Sequence, residues 1–311
     1  MRAWLGALAL LAGCAAPAEG PREAASAPET TIAGAETALP LTVWAPEGPP
    51  RAVMLALHGF GDYGPPTFGS PEDGGGAGAG PFWAESGILV YAYDQRGFGR
   101  NPSNRDWPGS DALVADLEAV AAALRARHPE LPLVVAGVSM GGAVALAAAG
   151  EGRLAGVDGL VLLAPALWGG ESLGALYRAS AWTAAQVSPE TRFSARSSPV
   201  RIYPTDDWEM LRRVSKDPLR FANPSAREFL GLIRLMDRAV QAAPEARLPA
   251  LTVMGANDDV IPEESVRAGH ALLPGPKRFA YVETGWHMLL RDKQARRVHE
   301  IVRDWVLEQA E

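Results

Sequence analysis

A serine, an aspartate and a histidine follow one another along this chain with flanks that suit nucleophilic acyl transfer. Ser139 stands at the centre of Gly137-Val138-Ser139-Met140-Gly141-Gly142, directly after the apolar run Leu133-Val134-Val135-Ala136 and directly before the small-residue stretch Ala143 to Ala149. That pattern reads as strand, sharp turn, helix. A serine at the apex projects its hydroxyl beyond the end of the strand, and glycines two places to either side remove the Cβ atoms that would clash in so tight a turn. Because the chain holds 33 glycines in 311 residues, the five-residue match draws its weight from these flanks and from the partners that follow it.

A serine hydroxyl is a poor nucleophile by itself, so a base and an orienting carboxylate are required. Five histidines compete for the first role. His128 precedes Pro129 at a helix end, and His270 and His299 lie inside helical patterns, where packing or solvation is the expected role. His287 stands in the turn Thr284-Gly285-Trp286-His287, between a strand signal ending near Glu283 and the final helix, which places its imidazole at the same sheet edge as the serine. The carboxylate is expected from a strand end between serine and histidine. Leu251-Thr252-Val253-Met254-Gly255 is that strand, and the spacing Gly255, Asp258, Pro262 favours Asp258 over Asp259, which is read as a turn residue before the helix start. An oxyanion needs two donors, one the Met140 N–H next to the nucleophile and one from the loop His58-Gly59-Phe60-Gly61. Phe60 N–H is the first choice and Gly61 N–H the second; His58 is expected to hold that loop by a hydrogen bond.

The elements that must position these groups are legible as periodicities. Leu41 to Ala45, Ala52 to Leu57, Ile88 to Tyr93, Leu133 to Gly137, Gly159 to Ala164, Leu251 to Met254 and Arg278 to Val282 are short apolar runs of the kind found in strands buried on both faces. Leu113, Leu117, Val120 and Leu124, and again Val298, Ile301, Val302 and Trp305, recur at helical spacing. The alternation predicts an α/β fold, a mainly parallel, doubly wound sheet with a hairpin-like start, in which catalytic groups gather beyond the carboxyl ends of the strands. Residues 39–167 and 248–311 form this core. Residues 168–247 carry helical patterns only, best at Phe229, Ile233, Met236 and Val240, and are read as a helical cap over the carboxyl edge.

Composition bounds the rest. With 48% hydrophobic and 21% charged residues and a net charge of −7, the chain is an ordinary globular protein. Charges are interspersed, so nucleic acid is not an expected partner, and no His/Cys cluster or H-E-x-x-H run calls for a metal; no dissociable cofactor is expected. The single cysteine is Cys14. Met1-Arg2 followed by the apolar Ala3 to Ala12 has signal-peptide proportions, too short for a membrane span of about 20 residues. Leu11-Ala12-Gly13-Cys14 resembles a bacterial lipoprotein processing site. It implies removal of residues 1–13, lipidation of Cys14 and a membrane-anchored place in the cell envelope, secretion being the alternative. Residues 14–38, rich in Ala, Pro, Glu, Ser and Thr, are read as a disordered tether spanning roughly 25 Å.

Taken together, His58-Gly59-Phe60-Gly61-Asp62, Asp94-Gln95-Arg96-Gly97-Phe98-Gly99-Arg100, the Ser139 turn, Gly255 to Pro262 and Gly285-Trp286-His287-Met288-Leu289-Leu290 resemble the α/β-hydrolases of the monoacylglycerol lipase, lysophospholipase and serine-aminopeptidase-like group. The resemblance spans about Leu39 to Glu308. It implies a carboxylic-ester hydrolase with a lipid-like ester as substrate. The alternatives are a peptidase or amidase of the same group, and a non-catalytic, surface-tethered binding protein on a hydrolase scaffold. Asp94 to Arg100 is expected to be a structural turn, and the glycine-rich stretch Gly64 to Gly80 a mobile surface excursion beside the site.

Overall fold

The computed structural model describes residues 30–69, 78–169, 174–193 and 201–310; Cys14 lies outside them. Eight strands form one sheet: β1 (Thr31–Ala33), β2 (Ala38–Trp44), β3 (Ala52–Leu57), β4 (Ile88–Tyr93), β5 (Leu133–Val138), β6 (Gly159–Leu163), β7 (Ala250–Gly255) and β8 (Lys277–Val282). Their order across the sheet is β1-β2-β4-β3-β5-β6-β7-β8. Strand β2 is antiparallel to both its neighbours and every other pairing is parallel. The order reverses at β3, which pairs with β4 on one side and β5 on the other. Such a switch point opens a crevice at the carboxyl edge.

Strands β3, β4 and β7 are buried along their whole length, which explains their unbroken apolar sequences: successive side chains enter opposite cores. Val53, Leu55 and Leu57 face one core with helices α3 (Ser110–Arg127) and α4 (Met140–Gly150). Ala52, Met54 and Ala56 face the other, closed by α2 (Ala79–Glu85) through Phe82 and Trp83 and by the C-terminal helix, Ala295–Glu308, through Val302 and Trp305. Full burial of a single Leu or Val contributes about 1.5–3 kcal/mol, so each face is independently stabilising. Strand β8 is an edge strand and is mostly exposed.

Three expectations need correction. Strand β1 falls within residues 14–38, read as unstructured. Buried Ile32 and Leu39 fasten it, and Asp116 accepts the Ala35 N–H while also gripping Arg96. Next, Gly64 to Gly80 is not all surface excursion. Helix α1 (Gly64–Phe68) buries Phe68 completely against Trp83, and the Gly64 N–H donates to Asp94. The predicted cap also divides. Helices α5 (Ala175–Val187) and α6 (Trp208–Val214) lie within it, but α7 (Ala226–Ala242) belongs to the core, with Ile233, Met236 and Ala239 buried in the first apolar cluster. The alanine-rich α4 permits this, since the end of α7 at Ala242 touches Gly150 where any Cβ would collide. Ser225 starts α7 with a reciprocal capping box to Glu228, an arrangement that satisfies two otherwise unpaired N–H groups.

The turn between β5 and α4 is closely packed against the end of β3. A Cβ on Gly141 would lie 2.6 Å from the Leu57 carbonyl oxygen and 2.7 Å from that of His58, both backbone atoms of a buried strand end. Gly141→Ala is therefore expected to cost about 2–3 kcal/mol in urea unfolding; a variant as stable as the parent would show that the turn has slack.

Candidate active site

Ser139, Asp258 and His287 come from the ends of β5, β7 and β8 and meet above the carboxyl edge. The His287 Nδ1–H donates to Asp258 Oδ2 at 2.8 Å, and Nε2 lies 3.1 Å from Ser139 Oγ, accepting the hydroxyl proton in the same tautomer. The Asp258 side chain is fully buried and that of His287 only 12% exposed. Asp258 Oδ1 also accepts the N–H groups of Val260 and Ile261. Asp258 thus organises its own turn, a job the sequence had suggested for Asp259, which is exposed. A carboxylate gripped on both oxygens aims one lone pair at the imidazole without freedom to swing away.

Ser139 has φ 49° and ψ −112°, a left-handed conformation that costs a non-glycine residue about 1–3 kcal/mol. Its own backbone is tied on both sides. The N–H donates to Leu163 O at 2.9 Å, and the carbonyl accepts from Gly142 and Ala166, each at 3.0 Å. Gly59, in the loop after β3, lies against it, its absent Cβ 3.4 Å from Ser139 Cβ. Among the described residues the Phe60 and Met140 N–H groups donate to no protein acceptor. The loop carrying Phe60 is fixed by His58: Nε2 accepts the Gln95 N–H at 2.9 Å, the His58 carbonyl accepts the Gln95 side-chain amide at 2.8 Å, and Nδ1–H points to Gly59 O. Burial lowers the His58 pKa and keeps the ring neutral, as acceptance at Nε2 requires.

The turn Asp94 to Arg100 is structural in this geometry. Buried Asp94 accepts from the Gly64 and Arg100 N–H groups and from the Arg100 guanidinium, while Asn101 donates to three carbonyls of the same turn. The other histidines have partners of their own. His128 meets Tyr91 and His270 meets Thr252. Burial between Phe82 and Trp83 pushes His299 down to about 4.

Sequence reasoning missed two buried carboxylates that organise the site from behind. Asp62 accepts both Arg220 Nε, at 2.9 Å, and Arg291 Nη2, joining the loop after β3 to the insertion and to the segment after His287. Despite the opposing cost of burial, the two guanidinium groups hold its carboxyl well below the usual range. Phe221, next to Arg220, donates its N–H to Gly61 O at 3.0 Å and packs its ring on Phe60 and Phe98. Asp292 accepts the Trp286 N–H and the Thr205 hydroxyl, each at 2.7 Å. Burial raises it to about 6, against the lowering effect of those hydrogen bonds. The available signal was position: Asp62 closes the His58 motif, and Asp292 follows His287 by five residues. Their partners Thr205 and Arg220 lie in a stretch without strand signal or motif, and nothing local announces them.

The chain is similar to known proteins in sequence and fold. The sequence profile of the family described as "Serine aminopeptidase, S33" matches residues 48–294. The chain is 28% identical over 229 residues to the monoacylglycerol lipase of Mycolicibacterium smegmatis, covering 71% of this chain and 75% of that protein. It is 30% identical over 229 residues to a Schizosaccharomyces pombe protein provisionally named a monoglyceride lipase, covering 70% of this chain but only 56% of that longer protein. In three dimensions it resembles a soluble variant of monoglyceride lipase from Saccharomyces cerevisiae, with a TM-score of 0.73, 17% identity, and coverage of 94% of this chain and 99% of that one. Eight strands in a mostly parallel sheet, the serine at its sharp turn and the match over residues 48–294 lead to one conclusion: the chain is an α/β-hydrolase belonging to the serine aminopeptidase S33 family.

Proposed function

We propose that this protein is a serine carboxylic-ester hydrolase acting on lipid-like esters, monoacylglycerol or lysophospholipid, through an acyl-enzyme. The observation that carries the reading is the continuous hydrogen-bonded chain Asp258–His287–Ser139, with distances of 2.8 and 3.1 Å. In the proposed reaction, Ser139 Oγ attacks the ester carbonyl while His287 Nε2 takes its proton. Asp258 stabilises the imidazolium that forms. The N–H groups of Met140 and Phe60 receive the oxyanion, each such donor being typically worth about 3–4 kcal/mol in the transition state. His287 then returns the proton to the leaving alcohol, and the same residue activates water to release the acid. The lipid-like substrate rests on the monoacylglycerol lipase names of the relatives and on Phe60 sitting in an aromatic group with Phe98, Trp107 and Phe221, since apolar surroundings suit an acyl chain.

Ser139→Ala is expected to lower kcat/KM on p-nitrophenyl esters and on monoacylglycerol by about 10⁴-fold or more, and His287→Ala by a similar factor, with the double variant no worse than either because the groups act as a unit. Aminoacyl anilides, offered in parallel because the family description names an aminopeptidase, are expected to be poor substrates. Equal activity in Ser139→Ala and wild type would remove the mechanism, and a preference for anilides would replace the ester with an amide.

The proposal extends to location, through the Leu-Ala-Gly-Cys tetrad ending at Cys14. Among the described residues no helix is long and apolar enough to cross a membrane. A diacylated cysteine would supply the anchor, each buried CH₂ contributing about 0.8 kcal/mol. Wild type expressed in a bacterium is expected in the membrane fraction with the intact mass of an acylated chain beginning at Cys14, and Cys14→Ala in the soluble fraction. An unmodified, soluble wild type overturns the anchor.

A further inference from the structure

The loop that carries His287 is suspended from both sides. The residue before it, Trp286, donates its N–H to Asp292 Oδ2 at 2.7 Å. The residue after it, Met288, donates its N–H to the carbonyl of Pro204 at 2.8 Å. Pro204 belongs to the insertion between β6 and β7, and its neighbour Thr205 donates its hydroxyl to the other oxygen of the same Asp292 carboxylate, at 2.7 Å. Thr205 Oγ in turn accepts the Asp207 N–H at 3.1 Å, and Asp207 caps α6 through Met210 N–H. The contacts close a ring: Trp286 to Asp292, Asp292 to Thr205, Pro204 to Met288. Thr205 is completely buried and Asp292 6% exposed, so water cannot replace either partner.

We propose that Asp292 is a positioning residue: its carboxylate grips the Trp286 N–H and the Thr205 hydroxyl and so fixes His287 at hydrogen-bonding distance from Ser139, making that distance depend on the insertion segment Pro204-Thr205. The proposal rests on the nucleophilic role given to Ser139 above. Its physical basis is that a catalytic pair held by a loop keeps its geometry only if the loop's own backbone is held, and a displacement of about 1 Å costs about 10²-fold in rate. Hydrogen bonds to an ionised carboxylate are the strong kind, yet this one is retained against burial. The groups that face it are Asp206, which disfavours its charge, and His287 and Arg291, which favour it. A carboxyl raised to about 6 from 3.8 binds its proton more readily folded than unfolded, so it contributes stability below about pH 4 that is lost as pH rises through 6. A neutral side chain would relieve that cost; position, rather than stability, is what the hydrogen bonds of this side chain serve.

The test compares wild type, Ser139→Ala, Asp292→Ala, Asp292→Asn and Thr205→Val in two assays, hydrolysis of p-nitrophenyl butyrate and the rate of covalent labelling by a fluorophosphonate, which needs an activated serine but no ester turnover. Asp292→Ala is expected to lower kcat and the labelling rate together by about 30-fold or more, with KM within about threefold. Asp292→Asn, which still accepts the Trp286 N–H, is expected to recover most of both. Thr205→Val, which removes only the partner in the insertion, is expected to lower both by about 3–10-fold. The melting temperature of Asp292→Asn relative to wild type is expected to be more favourable at pH 8 than at pH 5, by roughly 2–4 °C. Should Asp292→Ala fail to fold, Asp292→Asn and Thr205→Val decide the matter. Wild-type kcat and labelling in Thr205→Val, or a folded Asp292→Ala altered in KM alone, overturns the proposal. Labelling of wild type and of Ser139→Ala alike would instead overturn the role of Ser139, and Ser139-dependent labelling without ester hydrolysis would overturn the ester reading while leaving Asp292 to be judged by its labelling rate.

Discussion

The contact between the turn at Ser139 and the end of β3 constrains everything else in the molecule. Gly141 lies so close to the carbonyls of Leu57 and His58 that no side chain fits, and this proximity sets where the helix after Ser139 can start. Because His58 is also the first residue of the loop ending at Gly61, the same contact fixes the height of that loop relative to the serine. The strained backbone of Ser139 persists because four neighbours, Leu163, Gly142, Ala143 and Ala166, hold it by hydrogen bonds. Strain of about 1–3 kcal/mol survives only where the surroundings over-determine it. Here β5, buried from Leu133 to Gly137, and a fully buried first turn of α4 provide that surrounding.

From this rigid centre the remaining groups are hung on loops, and each loop is held by a buried charge. Asp94 collects the Gly64 and Arg100 N–H groups with the Arg100 guanidinium, Asp62 collects Arg220 and Arg291, and Asp292 collects Trp286 and Thr205. Burying a carboxylate is costly unless it is paired and hydrogen-bonded. Asp62 meets that requirement with two guanidinium groups and is held ionised, whereas Asp292 has only neutral donors and is raised to about 6. The difference follows from their partners, since burial opposes both.

How much of this was legible in the sequence depends on the range of the interaction. Strands β3, β4 and β7 announced themselves because a strand buried on both faces leaves an unbroken apolar run, and the serine turn because glycines at fixed offsets answer a local steric demand. Ser139, Asp258 and His287 are brought together by the sheet, and their order along the chain is enough to pick them out once the strands are placed. Strand β1 was hidden because three residues with one buried side chain, Ile32, carry no period. The division of the predicted cap was hidden for another reason. The amphipathic stripe of α7 says that it packs on something, and only the three-dimensional arrangement says that the partner is the all-buried α4. Asp62 and Asp292 bind residues more than eighty positions away, Arg220 and Thr205, in a segment whose sequence repeats nothing.

That segment changes the meaning of the insertion between β6 and β7. An apolar cap is ordinarily pictured as a cover laid over a finished site, but here Pro204, Thr205, Arg220 and Phe221 bond to the histidine segment and to the loop at Gly61 and Asp62 themselves. The contrast lies within the insertion. Helix α5 buries only Tyr177 and Ala181 and leaves Leu176 and Val187 more than two-thirds exposed, whereas the strap from Pro204 to Phe221 is tied at its start to Met288 and Asp292 and at its end to Asp62 and Gly61. Regions with few buried apolar contacts open at the lowest free energy. The insertion is therefore built of two parts with opposite mechanical roles: a lightly held helix outside, and a strap that is as much a part of the site's framework as the strands that carry Ser139 and Asp258.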